Sequence, residues 1–285
     1  MTGSRAHAAH ALWASSHPGP TLVVTALAGA LAAAAGLEPW RVVLLALAVF
    51  AGQLSVGISN DALDADRDRA VGRQDKPIAA GEVSERTAWT AALVCLVLAA
   101  LLSAPLGLEL LAGHAVFLVS AWSYNLRLKA SVISLLPFLL SFGLFPSLAT
   151  LAAAEPQLAP SWAWIAGGTL GAAVHLTNVL PDLDDDARTG IRGLPHRLGG
   201  RPSAGLAAAS VLAGAFAATV GPHGWQVAAV PVLAWVFFGA AVVLVLLTVV
   251  LTVAGRSGRV LFRLVMLAAL VLAAQLVASG GALTG

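Results

Sequence analysis

The chain has 285 residues, of which 59% are hydrophobic and only 11% charged. A soluble globular domain carries roughly twice that charged fraction, so a water-soluble enzyme is excluded, membrane lipid is the expected surrounding and no nucleic-acid partner is expected. The formal net charge of +2 says little about partners, because the placement of the charges carries the information.

The opening residues are polar and mixed, without the charged n-region and apolar h-region of a cleaved signal. Nine apolar segments follow, at 20–36, 40–59, 86–104, 107–124, 132–153, 161–181, 203–221, 226–254 and 259–280. Most approach the roughly 20 residues needed to cross a bilayer, and lipid leaves the backbone little choice but helix. The expectation is one all-α bundle of nine transmembrane helices occupying 1–285 as a single domain. The first and seventh segments are rich in Ala and Gly, which suits close helix packing. Pro137 and Pro146 fall inside the fifth, predicting a kink there. Cys95 is the only cysteine and lies in the third, so no internal disulfide is possible.

All but one of the 16 basic residues alternate to the same side: Arg5, Arg67, Arg69, Arg73, Lys76, Arg86, Arg127, Lys129, Arg188, Arg192, Arg197, Arg201, Arg256, Arg259 and Arg263. The other side has Arg41 with Glu38, Glu109, Glu155 and His223. The positive-inside rule then places the N-terminus and the long 60–85 and 182–202 loops in the cytoplasm and the C-terminus outside, in a multi-pass plasma-membrane protein. Trp40, Trp122, Trp162, Trp164 and Trp225 fall near segment ends, where interfacial anchors sit.

The second segment runs into Asn60-Asp61-Ala62-Leu63-Asp64-Ala65-Asp66-Arg67-Asp68. If helix continues, Asp61, Asp64 and Asp68 share one face, extended back into the membrane by Asn60, Gly57 and Gln53. A polar stripe on an apolar helix faces a cavity rather than lipid. Mutual repulsion and a helix C-terminus both disfavour such carboxylates, and a divalent cation offsets both; oxygen ligands of this kind suit Mg2+ shared with a substrate phosphate. Taken alone, this cluster reads equally well as a solvated acidic loop end, and Asp66, off the shared face, reads as solvated.

The sixth segment ends in a second stripe: His175, Asn178, Asp182 and Asp186. Asp184 and Asp185 point elsewhere, and His175 reads as a cavity-lining residue. Two acidic stripes at one membrane depth, an even number of crossings apart, suggest two metal sites gripping a diphosphate, whose leaving charge metals neutralise. Arg69, Arg73, Lys76, Arg127, Lys129, Arg188 and Arg192 are the basic candidates for completing the clamp.

The stretch NDALDADRDRAVGRQDKPIAAG at 60–81 resembles the first signature of the UbiA superfamily of intramembrane prenyltransferases, and DLDDDARTGIRGLPHRLG at 182–199 resembles the second. Tyr124-Asn125-Leu126-Arg127-Leu128-Lys129 is similar to the element between them. The resemblance implies a nine-helix bundle around a central cavity, moving a prenyl group from an isoprenoid diphosphate to an acceptor, usually aromatic, with Mg2+, as in quinone biosynthesis. It further implies that Asn60, Asp61, Asp64 and Asp68 hold one Mg2+, that Asp182 and Asp186 hold the other, and that Arg73, Tyr124 and Lys129 contact the diphosphate. His17-Pro18 departs from the Arg-Pro of many relatives, and Asn178 from their Lys. A cyclase using the same ionisation without an acceptor is the alternative within the family. A cation-coupled transporter is the alternative outside it, disfavoured because the carboxylates gather at helix ends rather than at the midplane. Phe138, Phe142 and Phe145 are candidate walls of a dry chamber for an allylic cation.

Overall fold

The computed structural model describes residues 2–180, 192–254 and 259–284. Within them the chain is helical, with short 3-10 turns and no strand. The helices are α1 (Thr2–Ser15), α2 (Pro18–Ala34), α3 (Pro39–Ala70), α4 (Glu85–Ser103), α5 (Leu108–Leu126), α6 (Leu136–Leu151), α7 (Ser161–Asn178), α8 (Leu194–Leu198), α9 (Gly200–Val220), α10 (Val232–Val253) and α11 (Arg259–Ala278). Each predicted apolar segment coincides with one of these. The expected span count is less simple. Among the described residues, four helices are long and apolar enough to cross a membrane: Pro39–Ala70, Glu85–Leu106, Gly200–His223 and Val232–Leu251. A fifth is added if Ala6–Ser15 and Pro18–Ala34, bent by 71°, form one span. Of the rest, α6 is short, with 16 residues, and α5 and α7 carry buried polar residues, among them His114, Asn125 and His175; Met266–Ala278 is a shorter apolar stretch within α11.

Local rules explain the boundaries. Pro18 and Pro39 stand in the first turns of α2 and α3, where their missing N–H costs nothing. Ser84 caps α4 by accepting the Thr87 N–H at 3.1 Å. Pro137 also lies in a first turn, of α6, so it starts that helix rather than kinking it, and Pro146 alone is interior. α3 runs 32 residues, to Ala70, and so takes up the first part of the 60–85 stretch expected to be loop.

α3 packs most extensively along α4, and α7 along both α6 and α9. The main apolar core includes Leu45, Val49, Leu110, Leu144, Leu148, Leu170, Val211 and Leu272. Trp162 is 4% exposed and belongs to it, whereas Trp40 and Trp225 are about half exposed. Trp162 is thus a core residue and not the interfacial anchor its position in sequence suggests. A smaller cluster of Ala11, Ile58, Ala62, Ala65, Ile78, Val83, Ala88 and Ala92 seals the other end of α3 against α4. Through Ile78 it folds the chain after α3 back over the carboxylate-bearing turns.

Candidate active site

The helix that the acidic spacing requires is present. α3 continues to Ala70, and Asp61, Asp64 and Asp68 lie on its inner face, 3%, 9% and 4% exposed. Buried carboxylates need partners, and each has cations. Lys76 Nζ donates to Asp61 Oδ1 at 2.7 Å, and His17 Nε2 lies 2.9 Å from the same oxygen. Lys129 Nζ donates to Asp64 Oδ1. Arg67 Nη2 is 3.0 Å from Asp64 Oδ2 and 3.7 Å from Asp68 Oδ1. The helix-dipole penalty falls on Asp68 alone, since Asp61 and Asp64 stand more than a turn before the end of α3, and Arg67 and Arg69 in the last turn offset it.

Three local structures deliver these cations. Lys76 follows a tight return of the chain in which the Arg73 N–H bonds Asp68 O at 2.9 Å, and buried Ile78 holds the return down. Lys129 sits in a 3-10 turn, Leu128–Ala130, directly after α5. Buried Asn125 pins that end of α5 to α3 by donating to Val56 O at 2.9 Å. His17 occupies the corner between α1 and α2 with φ at 54°, a conformation rare for a non-glycine residue and a form of strain that clusters at functional sites. Gly57 permits that approach. A Cβ there would collide with the backbone of Ser16.

Beside the carboxylates lies a cavity of about 300 Å³. α3 contributes Gln53, Val56, Gly57 and Asn60; α5 contributes Phe117, Tyr124 and Asn125; α6 contributes Phe138, Ser141 and Phe142; α7 contributes His175 and Asn178; His17 and Thr21 close another wall. Asp61 and Asp64 continue the α3 face just beyond Asn60. Phe138 stacks parallel on Phe142 at 6.1 Å and meets Tyr124 edge-on at 5.0 Å, forming an aromatic wall. Phe145, expected in that wall, is instead 3% exposed and packs in the core against Phe117.

Other predicted residues lie elsewhere. Asp66 and Arg69 pair on the outer face of α3, and Asp66 is solvated as expected. Arg73 grips Asp75 through two 2.8 Å hydrogen bonds, which hold the Asp75 carboxyl down to about 2. Arg127, at the end of α5, and Arg192 are exposed. Asp182, Asp184, Asp185, Asp186 and Arg188 lie outside the described residues. Among the described residues no three His, Cys, Asp or Glu converge closely enough to hold a metal. The hard oxygens along α3 fit Mg2+ chemically, but a complete shell needs further donors. Sequence reasoning missed His17 and Arg67 as carboxylate partners. Arg67 could have been found from its i+3 spacing to Asp64; His17 had no such signal.

A family model described as the UbiA prenyltransferase family matches residues 22–271. A search of curated proteins finds no sequence match. Several solved structures share the fold. A UbiA homolog from Archaeoglobus fulgidus bound to DMAPP and Mg2+ is 16% identical with a TM-score of 0.75, covering 96% of this chain and 98% of its own. The apo structure of a UbiA homolog from Aeropyrum pernix K1 is 18% identical with a TM-score of 0.71, covering 95% and 98%. A digeranylgeranylglyceryl phosphate synthase is 12% identical with a TM-score of 0.72, covering 95% and 98%.

Proposed function

The chain belongs to the UbiA prenyltransferase family, and from that premise we propose that it is a nine-crossing membrane enzyme that ionises an isoprenoid diphosphate and passes the prenyl group to a small, aromatic acceptor, as quinone biosynthesis requires. The observation that carries this reading is the junction between a buried, cation-paired carboxylate face and an aromatic-walled cavity. The solved A. fulgidus homologue bound to GPP and Mg2+ supports the donor and the metal. Asn60, Asp61, Asp64 and Asp68, with Asp182 and Asp186, would hold Mg2+, whose chemistry is neutralisation of the charge on the departing diphosphate.

The protein's own groups do the rest. Lys76, Lys129 and Arg67 already share the carboxylates and present cations where a diphosphate would lie. Electrostatic groups fixed before the reaction act without reorganisation cost. Tyr124, Phe138 and Phe142 exclude water from the allylic carbon, and their ring faces favour the positive charge that develops there. Neutral Gln53, Asn60 and Asn178 are available at the cavity wall for polar contacts. The charge pattern of the loops supports a cytoplasmic N-terminus and site with an external C-terminus.

The test is incubation of membranes containing the protein with labelled prenyl diphosphates of several lengths and a panel of acceptors, read by mass spectrometry. Acceptor-dependent prenylated product is expected. A prenyl-derived cyclic product formed without acceptor would replace transfer by cyclisation, and no diphosphate release from any donor would overturn the reading.

A further inference from the structure

The cavity has a definite depth. Its mouth lies at the carboxylates: Asn60 precedes Asp61 on α3, His17 touches Asp61, and Tyr124 stands beside Asn125, whose Nδ2 reaches Ser59 Oγ at 3.3 Å. Its other end is marked by Gln53 on α3 and Phe117 on α5, each seven residues back from the mouth residue of the same helix. Val24 on α2 likewise stands seven residues beyond His17. Seven residues of α-helix rise about 10 Å. Phe142 of α6 closes the same end. The neighbouring Ser141 Oγ reaches Phe117 O at 3.4 Å, which fixes α5 and α6 in register there. One turn further along, Ala28 of α2, Val49 of α3 and Phe145 of α6 are buried in the main core. Phe145 backs both floor rings, 5.9 Å from Phe117 and 6.4 Å from Phe142. The space ends in packed side chains, and packed interiors yield little.

We propose that Phe117 and Phe142 set the length of the prenyl chain, restricting this enzyme to donors of one or two isoprene units, dimethylallyl and geranyl diphosphate. The inference rests on the prenyl-transfer reading above, which puts the diphosphate among the cations at the mouth, and it names the donor class. With the diphosphate there, the chain runs down between α2, α3, α5 and α6 towards the two rings. Each isoprene unit adds four carbon–carbon bonds of about 1.5 Å, zigzagged to about 5 Å. Two units cover the depth of the cavity, and a third meets Phe117 and Phe142. The acceptor also needs part of the cavity's 300 Å³ or so, which tightens the limit. Forcing surplus methylenes into a packed space pushes side chains off their rotamers, and that cost falls on every donor longer than the floor allows.

The test measures kcat/KM in membranes for dimethylallyl, geranyl, farnesyl and geranylgeranyl diphosphate, read as diphosphate release with 4-hydroxybenzoate and a dihydroxynaphthoate as acceptor probes. Wild type is compared with Phe117→Ala, Phe142→Ala and Phe138→Ala, and Phe117→Leu is the milder change should loss of the whole ring prevent folding. Wild type is expected to use farnesyl diphosphate at least about tenfold less well than geranyl diphosphate. The Phe117 and Phe142 variants are expected to raise the farnesyl-to-geranyl ratio about tenfold, because each opens the floor to a longer chain. A ratio of two donors on one enzyme preparation is indifferent to how much of it has folded. Phe138→Ala removes a ring at the mouth and is expected to slow all donors with the ratio unchanged. Equal use of geranyl and geranylgeranyl diphosphate by wild type would overturn the inference and leave prenyl transfer standing. So would an unchanged ratio in the floor variants, or an equal shift in Phe138→Ala. No diphosphate release from any donor would remove the prenyl-transfer reading and this inference with it.

Discussion

Asp64 and Asp66 stand two residues apart on α3 and have opposite fates. Asp64 is buried and held by Lys129 and Arg67, whereas the Asp66 side chain is 93% exposed against Arg69. Asp64→Ala is expected to lower kcat by about a thousandfold or more, the scale of losing an electrostatic group at the reacting centre. Asp66→Ala is expected within about twofold, because a surface pair contributes little. Equal losses in steady-state assays would show the wrong face of α3 to be functional. The basic residues split likewise. Lys129→Ala is expected to raise the KM for prenyl diphosphate about tenfold or more, as one charge-assisted bond requires, while exposed Arg127→Ala leaves it nearly unchanged. A defect in acceptor KM alone would assign Lys129 to another subsite. This inner face is legible in the sequence because helical period alone aligns residues 61, 64 and 68. The pairing of His17 with Asp61 is not, because no period relates them and only a bend in the chain brings them together.

The unit that makes that bend matter is the crossing of α3 with the α1–α2 corner. Gly57 lets Ser16 pass against α3, and this places His17 on Asp61. Gly57→Ala should lower stability by about 1–3 kcal/mol through overpacking and should also reduce activity, read as a lower melting temperature in detergent together with a reduced kcat. Full stability with normal kinetics would mean that the corner moves freely and has no positioning role. The returning segment after α3 carries a second device. Arg73 holds the Asp75 carboxyl at about 2, below its ordinary value. The pair's contribution is therefore complete above about pH 4 and is lost as pH falls towards about 2. Asp75→Asn should flatten the dependence of melting temperature on pH between those limits and leave it unchanged above pH 5; an effect centred near neutrality would assign that titration to another group. The existence of the helices is legible from apolar runs, but their ends are less so. α3 outlasts its apolar stretch because the carboxylates it carries are buried against cations, a tertiary effect that hydropathy alone does not register.

Across the whole molecule, the sequence alone points to one end of the bundle as the place for chemistry, through its apolar segments, loop charges and two acidic motifs, and among the described residues the α3 carboxylate face adjoins an aromatic cavity. What composition does not reveal is how few helices are uniformly apolar. Two of those lining the cavity, α5 and α7, give up hydropathy to polar residues such as Asn125 and His175, so counting hydrophobic spans and counting bundle helices yield different numbers. That division between lipid-facing and cavity-facing surfaces also sets the final prediction. Buried carboxylates on α3 repel a diphosphate unless cations stand between them, and Lys76, Lys129 and Arg67 match the three carboxylates one for one. That leaves nothing to offset the charge of an added diphosphate, so turnover should depend on added divalent cation. EDTA is expected to abolish product formation and Mg2+ to restore it. The cavity meanwhile offers ring faces and neutral amides, and ring faces favour positive charge on an allylic carbon. Under the ionisation reading that charge builds before the acceptor attacks. Fluorine next to that carbon destabilises the charge, so a fluorinated donor should react slower by about a hundredfold or more, equivalent to about 3 kcal/mol in the barrier. A rate insensitive to fluorination but sensitive to EDTA would place the metal in binding and move the chemistry to direct displacement. A rate insensitive to both would dismiss the carboxylate face as the reaction centre.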